Sequence, residues 1–199
     1  MAPISTPQST WLHTWFEQTA GRALAPGELG AVQARAGVGK TAFLIQLSLE
    51  ELLTGQDVFH VALGKELTDV EARYTELLTE RLASIELAER CQLEQSVNHH
   101  RVIQALPAGG LDVDRLRAAL DSYRRHLDHR PGLLVIDGLD IDRSGGDLDA
   151  LRDLATAVKA RIWLSVRSHR DQRSSPPAVE ALVSLEPTGQ RIQARVERA

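Results

Sequence analysis

The sequence predicts an α/β protein with a mainly parallel sheet flanked by helices and a β-hairpin at its C-terminal end. Strand-like and helix-like patterns alternate five times along the chain, which is typical of parallel strands joined by crossover helices. Aromatic residues make up only 4% of the chain, so the core has to be built mainly from Leu, Val, Ile and Ala. The run GLLVID (132–137) stays apolar until its last residue, as expected for a strand buried on both faces.

The chain has the size and composition of one globular domain. Of its 199 residues, 43% are hydrophobic and 25% are charged, which is enough to bury a sizeable core. We divide it into an N-terminal extension (1–25) and a core (26–199). The extension is predicted to hold a short helix because its apolar residues recur at helical spacing, namely Trp11, Leu12, Trp15 and Phe16.

The elements of the core follow in order from hydrophobic periodicity. Short apolar or β-branched runs predict five strands, at 29–34, 57–63, 101–106, 132–137 and 161–166. Helices are predicted at 41–54, 112–129 and 147–159. A further long helix is predicted to begin at a capping box formed by Thr68 and Glu71, and its apolar stripe extends to Ile85. The segments ALVSLEP and RIQARVE, on either side of Thr188 and Gly189, predict the terminal hairpin.

Charge and composition narrow the possible partners and compartment. A net charge of −4 and a pI near 6.0 argue against non-specific nucleic-acid binding, which requires a basic surface. Cys91 is the single cysteine and cannot form an internal disulfide, which favours a reducing compartment. The first residues have no apolar signal-peptide core, and the chain has no apolar run of 18 residues. We therefore expect a cytoplasmic protein that does not enter a membrane.

The stretch ARAGVGKT (34–41), called here the glycine-rich loop, lies between a predicted strand and a predicted helix. Glycines at 37 and 39 allow backbone N–H groups to turn inward around a phosphate, and the helix N-terminus adds its positive end. Lys40 is placed to bridge the β- and γ-phosphates, and the Thr41 hydroxyl to bind Mg²⁺. Nucleotide-binding contacts are therefore expected from Ala36, Gly37, Val38, Gly39, Lys40, Thr41 and Ala42.

Asp137 is the second candidate site residue. It ends a buried strand, which places its carboxylate at the carboxyl edge of the sheet, beside the glycine-rich loop. A strand-terminal Asp also serves simply to cap the following loop. Together with the glycine-rich loop, however, it predicts a magnesium ligand acting alongside Thr41.

The stretch GELGAVQARAGVGKTAFLIQLSLEELLTGQDVFHVALGKELTDVEARY resembles the opening of a RecA-like P-loop ATPase core. The chain is most similar to the branch that holds replicative-helicase motors and circadian-clock KaiC-type ATPases. LLVIDGLD resembles the Walker B strand of that family, IWLSVRSH its fifth strand and LVSLEPTGQRIQARVE its terminal hairpin. The resemblance spans residues 26–197. It implies a RecA-like P-loop NTPase fold, ATP and Mg²⁺ as cofactors, catalytic involvement of Lys40, and a homo-oligomer or protein partner.

The sequence departs from the family at the position of its catalytic glutamate. The family strand ends in Ser-Leu-Glu, and the Glu polarises the attacking water; here those positions are Ala62, Leu63 and Gly64. Glu66 lies two residues later and is the alternative catalytic candidate if the loop is re-routed, or else an exposed loop carboxylate. Loss of a general base typically lowers a rate by about 10²- to 10⁴-fold, so we expect a weak ATPase.

The arginine-rich segment RSHRDQR (167–173) carries the remaining candidates. In the family this region holds a sensor residue and a loop that contacts nucleic acid or a neighbour, which makes Arg167, His169 and Arg170 candidates for a sensor or an arginine finger. A solvated loop is the alternative. The segment GLDIDRSGGDLD after Asp137 carries four aspartates and one arginine, which would repel a nucleic-acid backbone. Nucleic acid is therefore not expected as a partner.

Three functions remain open from the sequence. The first is an ATP-binding RecA-like protein that acts as a slow ATPase or a nucleotide-dependent switch. The second is a small-molecule kinase, for which no acceptor-binding residues are recognisable. The third is a non-catalytic interaction module whose bound nucleotide only sets its shape, which the glycine at 64 favours.

Overall fold

The computed structural model describes residues 11–139, 147–167, 178–189 and 191–198. Six helices and seven strands lie within these residues. In chain order they are α1 (Trp11–Ala20), β1 (Leu29–Ala34), α2 (Lys40–Leu53), β2 (Val58–Leu63), α3 (Leu67–Arg81), α4 (Leu87–His100), β3 (Arg101–Leu106), α5 (Val113–Leu127), β4 (Leu133–Leu139), α6 (Asp147–Val158), β5 (Arg161–Arg167), β6 (Ala181–Thr188) and β7 (Arg191–Arg198).

The described strands form one sheet in the order β3-β2-β4-β5-β1-β6-β7. Every neighbouring pair from β3 to β6 is parallel, and only β7 runs antiparallel, to β6. The predicted α/β class, with a mainly parallel sheet and a terminal hairpin, is therefore confirmed. The chain first moves from β1 outward to β2 and β3, and β4 and β5 then return to fill the space between β2 and β1.

Helices cover both faces of the sheet. Successive side chains of a strand point to opposite faces, so alternate residues of each central strand enter different cores. One core lies under α1 to α4 and includes Val32, Ala62, Val135 and Trp163. The other lies under α5 and α6 and includes Ala31, Val61, Ile136 and Leu164. Because the central strands are buried on both sides, their sequences read as continuous apolar runs.

The loops that follow parallel strands meet at the carboxyl edge of the sheet. The glycine-rich loop leaves this edge after β1, and the turn at 64–66 leaves it after β2. Between these strands lie β5 and β4, which end in Arg167 and Leu139. In open parallel sheets, ligands bind in the crevice at this edge, where the direction of strand progression reverses.

The helical segment after β2 differs from its prediction. The helix predicted from Thr68 to Ile85 corresponds to α3, which ends at Arg81; a turn at residues 82–86 follows, and α4 is a second helix for which the sequence analysis gave no bounds. The capping-box prediction is also wrong. It made Thr68 the N-cap residue, whereas α3 begins at Leu67 and its N-cap residue is Glu66. In α4 only Leu93 and Val97 are buried, so its amphipathic signal is weak.

The predicted N-terminal helix is confirmed as α1, which packs on the sheet and on α2. Phe16 is buried with its ring 5.5 Å from that of Trp163, in an edge-on arrangement. The backbone N–H of Leu12 donates to the buried Glu50 carboxylate at 2.7 Å. No helix in the described part of the chain combines the length and the apolar character needed to cross a bilayer.

Candidate functional site

The glycine-rich loop connects the carboxyl end of β1 to the first turn of α2. Gly37 and Gly39 have φ angles of 79° and 108°, in the left-handed region that favours glycine, as the motif predicts. Gly39 is the N-cap of α2, and its carbonyl accepts the first helical hydrogen bond, from the Phe43 N–H at 2.9 Å. The N–H groups of the first turn therefore have no preceding helical carbonyl to bind, and the positive end of the helix dipole lies at the loop.

The Lys40 ammonium lies against the backbone of the same loop. Its Nζ donates to the carbonyl oxygens of Ala34 at 2.8 Å and Arg35 at 3.1 Å. The side chain thus folds back from the first residue of α2 to the start of the loop. The positive charge of Lys40 is therefore held at the glycine-rich loop.

Asp137 lies at the carboxyl end of β4, on the face of the sheet that α2 covers. Val135, two residues earlier, belongs to the core under α2, and the strand period places Asp137 on the same face. The side chain of Asp137 is only 2% exposed. The Ser165 hydroxyl donates to its Oδ1 at 2.6 Å and accepts from the Gly138 N–H at 2.7 Å, so β5 holds the carboxylate in place.

Lys65 is a site residue that the sequence analysis missed. Its Nζ donates to the Thr41 Oγ1 at 2.5 Å and forms an ion pair with the Asp137 Oδ2. Burial by itself would raise the pKa of Asp137, but the Lys65 ammonium and the Ser165 hydroxyl hold that pKa below its usual range. The carboxylate is therefore ionised and already paired.

The predicted magnesium ligands, Thr41 and Asp137, are brought to the same place, but with a cation already between them. A hydroxyl and a carboxylate are oxygen donors that Mg²⁺ accepts. In this structure both are bonded to the Lys65 ammonium, which stands in the position a shared metal ion would take. As arranged, the donor pair does not fit Mg²⁺. Among the described residues there is also no cluster of three or more acidic, His or Cys side chains suited to a metal ion.

The position that the RecA-like resemblance aligns with a catalytic glutamate lies in a tight turn. Gly64 has a φ of +66°, and its N–H donates to the Leu106 carbonyl at 2.8 Å. A Cβ atom here would lie 3.0 Å from the Cβ of Ala108, so a side chain would be both strained and crowded. Glu66 follows the turn and is exposed. That exposure agrees with a loop carboxylate, and the structure does not bring Glu66 into the cluster around Asp137.

A buried polar pair, His60 and Tyr74, lies near the cluster formed by Thr41, Lys65, Asp137 and Ser165. The His60 Nδ1 is 3.0 Å from the Tyr74 hydroxyl, and the guanidinium of Arg101 lies 4.7 Å above the Tyr74 ring. The His60 Nε2 finds no hydrogen-bond partner in the described part of the chain. Burial lowers the pKa of His60 to about 4; the Asp137 carboxylate opposes the shift, and the charges of Lys65 and Arg101 add to it. His60 is therefore neutral at pH 7.

This burial predicts a loss of stability in acid. The pKa of His60 falls from its usual 6.5 to about 4 on folding, so between these values only the unfolded chain takes up the proton. The free energy of unfolding should then drop by up to about 3 kcal/mol as the pH falls through this window. Urea unfolding at a series of pH values measures this loss. The free energy of unfolding should depend less steeply on pH in the double variant His60→Leu/Tyr74→Phe than in the wild type, because the variant lacks both the titrating group and its partner. Identical pH dependence in the two proteins would refute this contribution.

The arginine candidates fall largely outside the site that can be described. His169 and Arg170 lie outside the described residues. Arg167 ends β5, where its backbone pairs with Ala34 of β1, but its side chain is likewise outside the description. Their roles as sensor or arginine finger stay predictions.

Comparisons with known proteins do not identify the chain. No protein-family model matches it, and no curated protein shows significant similarity to it. The RecA-like resemblance therefore rests on the motifs of the sequence itself.

Proposed function

We propose that this protein is a RecA-like P-loop protein that binds ATP at the glycine-rich loop and hydrolyses it slowly. One observation carries the proposal: the loop joins the carboxyl end of a central parallel strand to a helix N-terminus, with the Lys40 ammonium folded over its carbonyls. This arrangement combines two glycines of positive φ, a helix N-terminus and a fixed cation, which together favour a polyphosphate.

Within the proposal, the residues of the loop have separate tasks. Gly37 and Gly39 let the backbone curve around the β-phosphate, and the first turn of α2 provides N–H donors. Lys40 exchanges its two carbonyl contacts for phosphate oxygens. Thr41 and Asp137, the predicted magnesium ligands, hold the Lys65 ammonium instead, so no task in this proposal depends on Mg²⁺.

Slow hydrolysis follows from the turn after β2. The residue aligned with the family's catalytic glutamate is Gly64, and the positive φ of the turn disfavours any side chain there. Glu66 is exposed, which supports a loop carboxylate rather than a base held against the attacking water. A switch that changes state with bound nucleotide fits this arrangement as well as a weak ATPase. Assembly into an oligomer around ATP, and residence in the cytoplasm, stay predictions.

Titration of ATP into the protein, followed by calorimetry and thermal unfolding, tests the proposal. ATP that binds only the folded state should stabilise it by about 2.7 kcal/mol at a hundred times its Kd. Adenosine, which lacks the phosphates, is the matched control and should give no comparable stabilisation. Binding of neither ATP nor ADP would remove the proposed function.

A further inference from the structure

The cation at the centre of the site belongs to the protein itself. The Lys65 ammonium contacts the Thr41 hydroxyl at 2.5 Å and the Asp137 carboxylate, and both partners lie far from it in the sequence. The second oxygen of Asp137 accepts from Ser165 at 2.6 Å, so each carboxylate oxygen has a partner. The ammonium is thus built into a satisfied network and is not an exposed charge that has come close by chance.

The backbone delivers Lys65 to this position. Ala62 of β2 pairs directly with Asp137 of β4, so the turn after Leu63 begins beside the carboxylate. The hydrogen bond from the Gly64 N–H to the Leu106 carbonyl ties this turn to the end of β3. The left-handed conformation of Gly64 then starts the chain toward α3, with the next side chain reaching back over β4. The side chain of Lys65 keeps 29% of its surface exposed, whereas that of Asp137 keeps only 2%.

Charge decides between the ammonium and a metal ion. Asp137 is buried, and a buried carboxylate needs a compensating cation to remain ionised. Lys65 meets that need without a metal. A divalent ion placed between Thr41 and Asp137 would have to displace the Lys65 ammonium. The ion pair between Lys65 and Asp137 would then be lost, and the displaced ammonium would repel the metal ion from nearby.

We propose that Lys65 is a tethered cation that replaces Mg²⁺ in this site, so that the protein binds the triphosphate of ATP without a divalent metal. The inference rests on the proposed function, because it concerns the same phosphate site. Thr41 and Asp137 orient the Lys65 ammonium, which meets the β- and γ-phosphate oxygens beside Lys40. Two lysines then neutralise charge that one lysine and a metal ion neutralise in the family pattern.

Calorimetric titration of ATP in excess EDTA and in excess Mg²⁺ tests the inference on wild type, Lys65→Ala and Lys65→Gln. The wild type should bind ATP with nearly equal affinity in both conditions. Each variant should lose about tenfold or more in EDTA, since charge-assisted hydrogen bonds to phosphate are removed. Mg²⁺ should restore much of that loss, because neither variant places a positive charge between Thr41 and Asp137 that competes with the metal. The glutamine variant keeps a donor toward Asp137 and serves as the second test if the alanine variant does not fold.

Lys159→Gln is the matched control. Lys159 is the third of the three lysines in the chain, after Lys40 and Lys65. It is exposed in the turn before β5, at the edge of the sheet opposite to the glycine-rich loop. It should behave as wild type in both buffers. An ATP affinity of the wild type that rises about tenfold or more with Mg²⁺ would overturn the inference while leaving ATP binding intact. The inference would also be overturned if the ATP affinity of the Lys65 variants were the same with and without Mg²⁺. Absence of ATP binding by the wild type in either buffer would instead overturn the proposed function, and the inference with it.

Discussion

Lys40→Ala is expected to abolish measurable ATP binding while leaving the fold intact. The ammonium of Lys40 is held at the loop by the carbonyls of Ala34 and Arg35, and it is the cation that the loop itself contributes. Charge-assisted hydrogen bonds are worth about 1.5–3 kcal/mol each, so loss of contacts to two phosphates should weaken binding by at least about 100-fold. Calorimetry and ATP-induced thermal stabilisation measure the effect.

The control for this experiment is again Lys159→Gln, which should retain the full stabilisation by ATP. Circular dichroism should show that Lys40→Ala keeps its helices and its cooperative unfolding, because Lys40 is half-exposed and lies outside both cores. ATP-induced stabilisation of the same size in Lys40→Ala and wild type would rule out the glycine-rich loop as the phosphate site.

Single-turnover hydrolysis of ATP is expected to be slow in the wild type, well below the range of about 1 to 10³ per second typical of enzymes. The structure places no carboxylate at the end of β2, since Gly64 turns the chain there and Glu66 is exposed. A missing general base accounts for a deficit of about 10²- to 10⁴-fold. Glu66→Gln should therefore leave the rate unchanged.

A fall of at least about tenfold in the rate of Glu66→Gln, with ATP affinity preserved, would show instead that Glu66 is the base. Rapid hydrolysis that survives this substitution would contradict both assignments. The reverse experiment, adding a carboxylate as Gly64→Glu, is compromised by the structure. At a φ of +66°, with the Cβ of Ala108 3.0 Å from the new Cβ, the side chain would distort the turn that carries Lys65.

Local chemistry allowed much of the molecule to be predicted from the sequence. The runs LGAVQA and RVIQAL match β1 and β3 residue for residue. β1 is a buried parallel strand and reads as a mostly apolar run, whereas β3 lies at the edge of the sheet and was recognisable from its short apolar and β-branched run. The positive φ angles of Gly37 and Gly39 were likewise predictable, since the loop pattern requires residues without a Cβ. Even the carboxylate of Asp137 was recognisable, by its place at the end of an apolar run.

Contacts between distant segments were decided only by the tertiary structure. The insertion of β4 and β5 between β2 and β1 leaves no trace in periodicity, which reports on each strand alone. The end of α3 at Arg81 was missed because the apolar stripe includes Leu82 and Ile85, which lie in the turn at 82–86. Lys65 is 24 residues from Thr41 and 72 from Asp137, and a lysine after a strand carries no signal of its own. Its position depends on strand pairing that places Ala62 beside Asp137 and on a left-handed glycine that turns the chain back over β4. The sequence by itself therefore determined a glycine-rich loop before a helix and a strand-end carboxylate, and the fold alone decided which cation stands between them.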